Sequence, residues 1–220
     1  MEGPVVGRYS EGMRAKQSRT MRWGARIGVA AACLALGIAA PAAAKTKTKT
    51  FHGCVTGAVP LPDRSSAALS INVPAPKGAK GLGSIKSIRM GTRITHTADG
   101  DLAIAYVTPD ARAFALSTSN GGSGDGYGSG GATGCPSSSL VFFDQGAALP
   151  ISSPGNVGNN PILGSFQPQA SFIHVDHSRV FGLWVLVVSD TATDDVGTLQ
   201  AFSLDITYSY TTVKKKGKKK

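Results

Sequence analysis

The chain has 220 residues and a formal net charge of +10, from 23 Lys and Arg against 13 Asp and Glu. Six basic residues precede residue 45, and nine more lie in two lysine-rich segments, 45–49 and 214–220. The body between them, residues 50–213, carries eight basic residues and eleven Asp and is weakly acidic. Nucleic-acid binders place positive charge on the folded surface among stacking aromatic residues, so this distribution excludes a nucleic acid as the expected partner.

The first 44 residues have the pattern of a signal peptide. Basic residues precede an apolar run over residues 27–44 that ends in Pro-Ala-Ala-Ala, and such small residues suit cleavage near Ala44. A transmembrane helix is the alternative, but this run of 18 residues is rich in Ala and Gly, and a spanning helix needs about 20 strongly apolar residues. We therefore predict a secreted, extracellular protein that is not transmembrane, with Met1, Met13 or Met21 as its start.

Two lysine-rich segments flank the expected domain. A Lys/Thr-rich N-terminal segment covers residues 45–57, and a Lys-rich C-terminal tail covers residues 212–220. Residues 58–211 remain as one domain, long enough to bury a core. Two interpretations of the lysines stay open: solvated ends without a partner, or attraction to an anionic cell-wall polymer or lipid headgroups, a screened and non-specific force.

Two cysteines follow the predicted cleavage point, Cys54 and Cys135. An even pair in an exported protein predicts a disulfide, and two buried free thiols are the alternative. The bridge would close a loop of about 80 residues and stabilise the fold by about 4–5 kcal/mol on the chain-entropy model.

Short runs of β-type residues, separated by turn residues, fill the rest of the chain. Their period-two alternation places one set of side chains on a buried face, and no segment sustains a helical period over ten or more residues. Gly/Ser-rich residues 117–139 and Pro/Gly/Asn-rich residues 152–164 form two long loops, which are usually functional or disordered. The pattern predicts an all-β sandwich or jelly roll with strands over residues 68–73, 85–90, 92–97, 102–107, 113–116, 140–143, 180–188 and 198–211.

Several sequence blocks occur in a characteristic order between residues 58 and 210. They are Thr95-His96-Thr97 with Gly100-Asp101-Leu102, Thr108-Pro109, Gly121 to Asp125, Phe143-Asp144, Gly164-Ser165-Phe166-Gln167-Pro168, Gly182 to Asp190, and Asp195 to Leu204. In this order they resemble the P domain, or Homo B domain, of proprotein convertases and subtilisin-like proteases. Phe202 stands where that pattern has a second Trp, which is a conservative change in the core.

The resemblance implies a jelly-roll β-sandwich that usually follows a subtilisin-like protease domain and supports its folding, stability and calcium dependence. Residues 1–57 contain no protease domain. We therefore expect a stand-alone, non-catalytic module that binds or stabilises a protein partner, such as a separately encoded protease. A carbohydrate-binding or cell-wall-binding module is the alternative function.

We expect no catalytic residues in this chain. A hydrolase needs a nucleophile, a base and an oxyanion site, and the sequence has neither a Gly-x-Ser-x-Gly elbow nor a histidine in a recognisable protease block. His96 is interpreted as a packed or hydrogen-bonded strand residue. His174 and His177 could offer two nitrogen ligands to a transition metal, but no third soft ligand stands near them in the sequence.

Calcium is the cofactor we expect, because it takes six to eight oxygen ligands, largely from carboxylates and loop carbonyls. Four aspartates in the P-domain-like blocks are the candidate ligands: Asp101, Asp125, Asp144 and Asp190. The alternative is that each aspartate is simply a turn residue beside glycine. If the calcium prediction holds, calcium raises the melting temperature and a chelator lowers it.

The aromatic residues divide into core and surface candidates. Trp184 lies on an apolar strand at the spacing that places it with Leu186, and together with Phe202 these residues are predicted to pack in the core. Asn120 and Tyr127 lie in the glycine-rich loop and are the predicted exposed residues for a sugar or peptide site.

Overall fold

A computed structural model of the protein describes residues 44–153, 161–172, 175 and 178–213. All of them belong to the second of two compact units of the chain, Pro41–Lys220. The predicted signal peptide up to residue 43, the lysines after residue 213, part of the second long loop, and His174 and His177 lie outside the described residues. The described part contains nine strands: β1 Ala44–Leu61, β2 Ser66–Val73, β3 Ala79–His96, β4 Leu102–Val107, β5 Ala113–Thr118, β6 Val141–Asp144, β7 Gly164–Phe166, β8 Gly182–Asp190 and β9 Gly197–Val213.

The strands form two sheets that face each other across one core. The five-stranded sheet has the order β1-β9-β3-β6-β7, and the four-stranded sheet has the order β2-β8-β4-β5. All pairs are antiparallel except β6 with β7. The predicted all-β jelly-roll β-sandwich is confirmed as this pair of facing sheets.

The core forms where the alternating apolar residues of both sheets meet. Along β8, every second residue is buried, beginning with Trp184 and Leu186. Phe202 on β9, in the other sheet, belongs to the same buried cluster. The Trp184 indole stacks on Tyr106 with ring centroids 6.0 Å apart. Its Nε1–H donates a 2.9 Å hydrogen bond to the Val180 carbonyl, so the one polar group of this large side chain is satisfied.

The lysine- and threonine-rich residues 45–57, expected to precede a domain that starts at residue 58, lie in β1 and are part of the five-stranded sheet. Strand β1 begins at Ala44 and pairs with β9 as far as the partners Ala44 and Val213. Side chains on both faces of residues 44–50 are exposed, so hydrophobic burial does not hold this part in place. Backbone pairing and the β-branched threonines, which favour extended chain, account for the strand.

The predicted disulfide between Cys54 and Cys135 is confirmed, with the two Cα atoms 6.2 Å apart. It joins the exposed edge strand β1 to the glycine-rich segment between β5 and β6. The segment thus has a covalent connection to a residue of β1 that precedes Cys135 by 81 residues.

A buried arginine holds the same segment from the inside. The Arg93 side chain on β3 donates to the Gln200 side-chain oxygen at 3.0 Å, to Ser139 Oγ at 3.0 Å and to the Gly134 carbonyl at 3.2 Å. Burial lowers the pKa of this guanidinium from its ordinary value. Arg93 therefore joins β3, β9 and the segment that carries Cys135.

We expect Arg93→Ala to lower the free energy of unfolding by about 2–3 kcal/mol, because one buried and two part-buried hydrogen bonds from a charged donor are lost. Thermal unfolding followed by circular dichroism measures the effect. Arg89→Ala is the matched control: Arg89 also lies on β3 but is 42% exposed and pairs with Asp205, so its loss costs about 1 kcal/mol or less. Equal melting temperatures for the two variants would contradict this role of Arg93.

Candidate functional site

Aspartates are concentrated at one end of the sandwich, where β1, β3 and β8 end and β4 and β9 begin. The register places Leu61 and His96 beside Gly197, and Leu102 beside Asp190, at this end. We call it the acidic end, and its aspartates are Asp63, Asp99, Asp101, Asp125, Asp190, Asp194 and Asp195. Three of the four predicted calcium ligands are therefore at one end, and the fourth, Asp144, is at the end of β6 in the five-stranded sheet.

A buried histidine–aspartate pair connects the two sheets at the acidic end. His96 Nε2 lies 3.3 Å from Asp190 Oδ2, and both side chains are fully buried. The other ring nitrogen, Nδ1, lies 2.8 Å from the Ala98 carbonyl oxygen. Asp190 Oδ1 also accepts a 3.0 Å hydrogen bond from the Ala192 N–H. His96 is thus a hydrogen-bonded strand residue, as the sequence indicated.

The other predicted calcium ligands have separate environments. Asp101 is half-buried, and its backbone carbonyl accepts hydrogen bonds from the Thr191 N–H at 2.9 Å and hydroxyl at 2.7 Å. Asp125 is exposed, and Asp144 Oδ1 accepts a 2.8 Å bond from the Gly146 N–H in a turn. Within the described ranges, no three His, Cys, Asp or Glu side chains are grouped so as to hold a metal ion. The four predicted residues therefore do not form one calcium site, and calcium itself stays a prediction.

Asp99 is a residue of the acidic end that the sequence analysis did not single out. It lies between Thr97 and Gly100 in the turn that follows β3, and its side chain is fully buried. Burial raises the pKa of Asp99 to about 6, an effect that the nearby Gly126 N–H and His96 oppose and Asp125 reinforces. The local sequence Ala-Asp-Gly-Asp has the composition of a turn, so only the burial identifies this carboxyl.

The glycine loop, which we define as residues 119–131, covers Asp99. The Asp99 N–H donates to the Gly124 carbonyl at 3.1 Å, and the Gly100 N–H donates to the Gly122 carbonyl at 2.7 Å. The loop is therefore fixed to the turn that follows β3 by backbone hydrogen bonds.

The prediction that Tyr127 is exposed for ligand binding is wrong. Tyr127 is completely buried, and its hydroxyl lies 2.8 Å from Ser117 Oγ and donates to the Asn120 carbonyl at 3.0 Å. Asn120 is half-buried, and its side-chain amide donates to Ser117 Oγ at 2.9 Å. Backbone bonds between Tyr127 and Ile94 bring the Tyr127 ring into the core. Tyr127 and Asn120 therefore hold the glycine loop against the sandwich.

Lysines occupy the opposite end of the five-stranded sheet. We call residues 44–50 of β1 and 207–213 of β9 the lysine ribbon; they pair along their whole length. Lys45, Lys47 and Lys49 share one face by alternation, and Lys80 on β3 lies opposite Thr211. Neither strand of the ribbon contains an acidic residue in these ranges.

A second histidine–aspartate contact lies on the sheet surface. His52 Nδ1 is 2.7 Å from Asp205 Oδ1, and Arg89 donates to Asp205 Oδ2 at 2.7 Å. Although burial raises the pKa of Asp205, hydrogen bonds from His52 and Arg89 outweigh it and hold the pKa below its ordinary value. In the described part of the chain, His52 is thus held by Asp205 through Nδ1.

No helix within the described residues is long and apolar enough to cross a membrane.

Comparisons with known proteins give distant structural similarity. No family model matches the chain, and no curated protein matches it. The crystal structure of a serine protease of Aeromonas sobria is similar over 74% of this chain, at 14% identity and a TM-score of 0.41. The crystal structure of the complex of that protease with its chaperone is similar over 76% of this chain, at 14% identity and a TM-score of 0.40. This chain spans 27% of the length of each matched chain, and similarity of this extent establishes neither family nor function.

Proposed function

We propose that this protein is an exported, non-catalytic β-sandwich module that binds a phosphate-bearing or carboxylate-bearing polymer of the cell envelope through the lysine ribbon. The supporting observation is the register of β1 with β9, in which Ala44 pairs with Val213. Three exposed lysines of β1 therefore stand beside the point where the sequence continues into six more lysines, residues 214–216 and 218–220.

The charge pattern of the described residues supports electrostatic attraction of an anionic polymer by the lysine ribbon, without a specific pocket. Lys45, Lys47 and Lys49 repeat at every second residue, which places successive ammonium groups about 7 Å apart along the strand. This spacing is shorter than the Debye length of about 8 Å at physiological ionic strength, so the positive potentials of the three groups overlap. The aspartates of the acidic end lie at the far end of the sandwich and do not neutralise them.

Sedimentation with a purified poly(glycerol phosphate) tests this function. We expect binding at low salt and its loss at 1 M NaCl, where the Debye length is about 3 Å. Lys45→Gln with Lys47→Gln and Lys49→Gln should weaken binding by about tenfold or more, at up to about 1 kcal/mol for each lysine near an anionic surface. Deletion of residues 214–220 should weaken it further.

Arg64→Gln is the control, since it removes one exposed cation at the acidic end and should leave binding unchanged. Vesicles of phosphatidylglycerol distinguish a polymer phosphate from a lipid phosphate. Binding to the vesicles but not to the polymer would show that the ligand is a lipid surface and would contradict the polymer. Full binding by the triple variant that also lacks residues 214–220 would contradict any role of the lysines.

A second candidate function is that of an accessory module for a separately encoded subtilisin-like protease. The observation that favours it is that distant P-domain-like blocks meet at the acidic end: His96 bonds to Asp190, Asp101 to Thr191, and Asp99 to Gly124. Refolding yield of a purified protease of this class, with and without an equimolar amount of the protein, tests this function. An unchanged yield and no complex on gel filtration would contradict it.

A further inference from the structure

The buried Asp99 carboxylate is an unusual feature of the described residues. Neither of its two oxygens accepts a hydrogen bond of ordinary distance and angle, although the residue is 0% exposed. The Gly126 N–H is the nearby donor, close enough to lower the pKa of Asp99 but not placed to form such a bond. An unpartnered buried carboxylate is strongly unfavourable and is normally paired, protonated or bound to a metal. His96, the nearest candidate counter-charge, is already bonded to Asp190 and to the Ala98 carbonyl.

The surroundings of Asp99 are rich in oxygen. Carbonyl oxygens of Gly122 and Gly124 accept the bonds from the Gly100 and Asp99 N–H groups, and each keeps a second lone pair. Asp125 directly follows Gly124, whose carbonyl accepts the Asp99 N–H at 3.1 Å, so the chain places the two aspartates close together. Gly121 packs directly against Asp99: a Cβ added there would lie 2.6 Å from Asp99 Cβ, 2.9 Å from Ile162 Cδ1 and 3.3 Å from Asp99 Oδ2. A side chain at residue 121 would therefore fill the space beside the carboxylate.

We propose that Asp99 and the glycine loop form a Ca²⁺ site, with Asp99 as the buried carboxylate ligand and Asp125 and loop carbonyls completing the oxygen set. This proposal is independent of polymer binding by the lysine ribbon. A buried carboxylate covered by a loop that brings backbone carbonyls next to it matches the hard, oxygen-rich and flexible coordination of Ca²⁺. Mg²⁺ demands a smaller octahedral shell and retains its waters, so the same loop should select against it.

Thermal unfolding at pH 8 tests the site, because Asp99 is then ionised. We expect 10 mM CaCl2 to raise the melting temperature of the wild-type protein by about 3–8 °C relative to EDTA, and 10 mM MgCl2 to raise it by less. Asp99→Asn should abolish the calcium response and, in EDTA, should melt no lower than the wild type, because it removes a buried unpartnered charge. Asp144→Asn is the control and should keep the full response, since Asp144 bonds to Gly146 in a separate turn.

Calorimetric titration with CaCl2 gives a second readout, with one ion expected per chain. Asp125→Asn should weaken the calcium affinity by about tenfold, and the protein should stay folded because Asp125 is exposed. This variant tests the site even if Asp99→Asn fails to fold. An unchanged melting temperature in calcium, or a calcium response retained by both Asp99→Asn and Asp125→Asn, would overturn the site. Stabilisation on acidification alone, without a calcium response, would show that a proton satisfies Asp99 instead.

Discussion

Replacing Cys54 and Cys135 by serine is expected to lower the free energy of unfolding by about 4–5 kcal/mol. The bridge spans 81 residues, and on the chain-entropy model a loop of this length restricts the unfolded chain by that amount. The native state also loses a covalent restraint on β1, which is an edge strand whose first residues are exposed on both faces. Without the bridge, backbone pairing with β9 is the principal restraint on this end of β1.

Urea unfolding followed by the fluorescence of Trp184 measures the effect. At an m-value of about 2 kcal/mol per molar urea, the midpoint should fall by about 2 M. Wild-type protein in a reducing agent should match the double-serine variant, which separates the loss of the bridge from any effect of the serine side chains. Equal midpoints for the oxidised wild type and the variant would show that the bridge contributes nothing to stability.

Trp184→Ala is expected to lower the free energy of unfolding by about 3–5 kcal/mol. The indole is fully buried between the sheets, stacks on Tyr106 and satisfies its N–H on the Val180 carbonyl. Its removal leaves a cavity that the surrounding strands fill only in part. For a domain of this size the melting temperature should fall by about 8–15 °C.

Trp184→Phe is the matched control, because it keeps an aromatic ring against Tyr106 but lacks the donor to Val180. It should cost less than half as much as alanine. Circular dichroism in the far ultraviolet is the appropriate probe, since the variants lack this fluorophore. A melting temperature for Trp184→Ala within about 2 °C of the wild type would contradict the position of Trp184 in the core.

The glycine loop shows how tertiary contacts override a polar local sequence. Gly-Asp-Gly-Tyr-Gly has the composition of an exposed loop, and sequence reasoning placed Tyr127 on the surface. The structure buries it because Gly126 adopts a φ of +123° and approaches β3 so closely that a Cβ there would lie 2.3 Å from the Ile94 carbonyl oxygen. Backbone bonds between Tyr127 and Ile94 depend on this approach, and neither residue's local sequence encodes it.

The sequence alone determined the features that depend on local alternation and on residue type. The period-two pattern around Trp184, Leu186 and Phe202 predicted buried strands, since one face of a strand must be apolar to pack, and the two cysteines predicted their bridge. Tertiary structure decided which distant residues meet. The pairing of Ala44 with Val213 and the burial of Asp99 under the glycine loop follow from strand register and loop placement. Strand register and loop placement depend on contacts between segments about 20 to 170 residues apart, which local patterns do not specify.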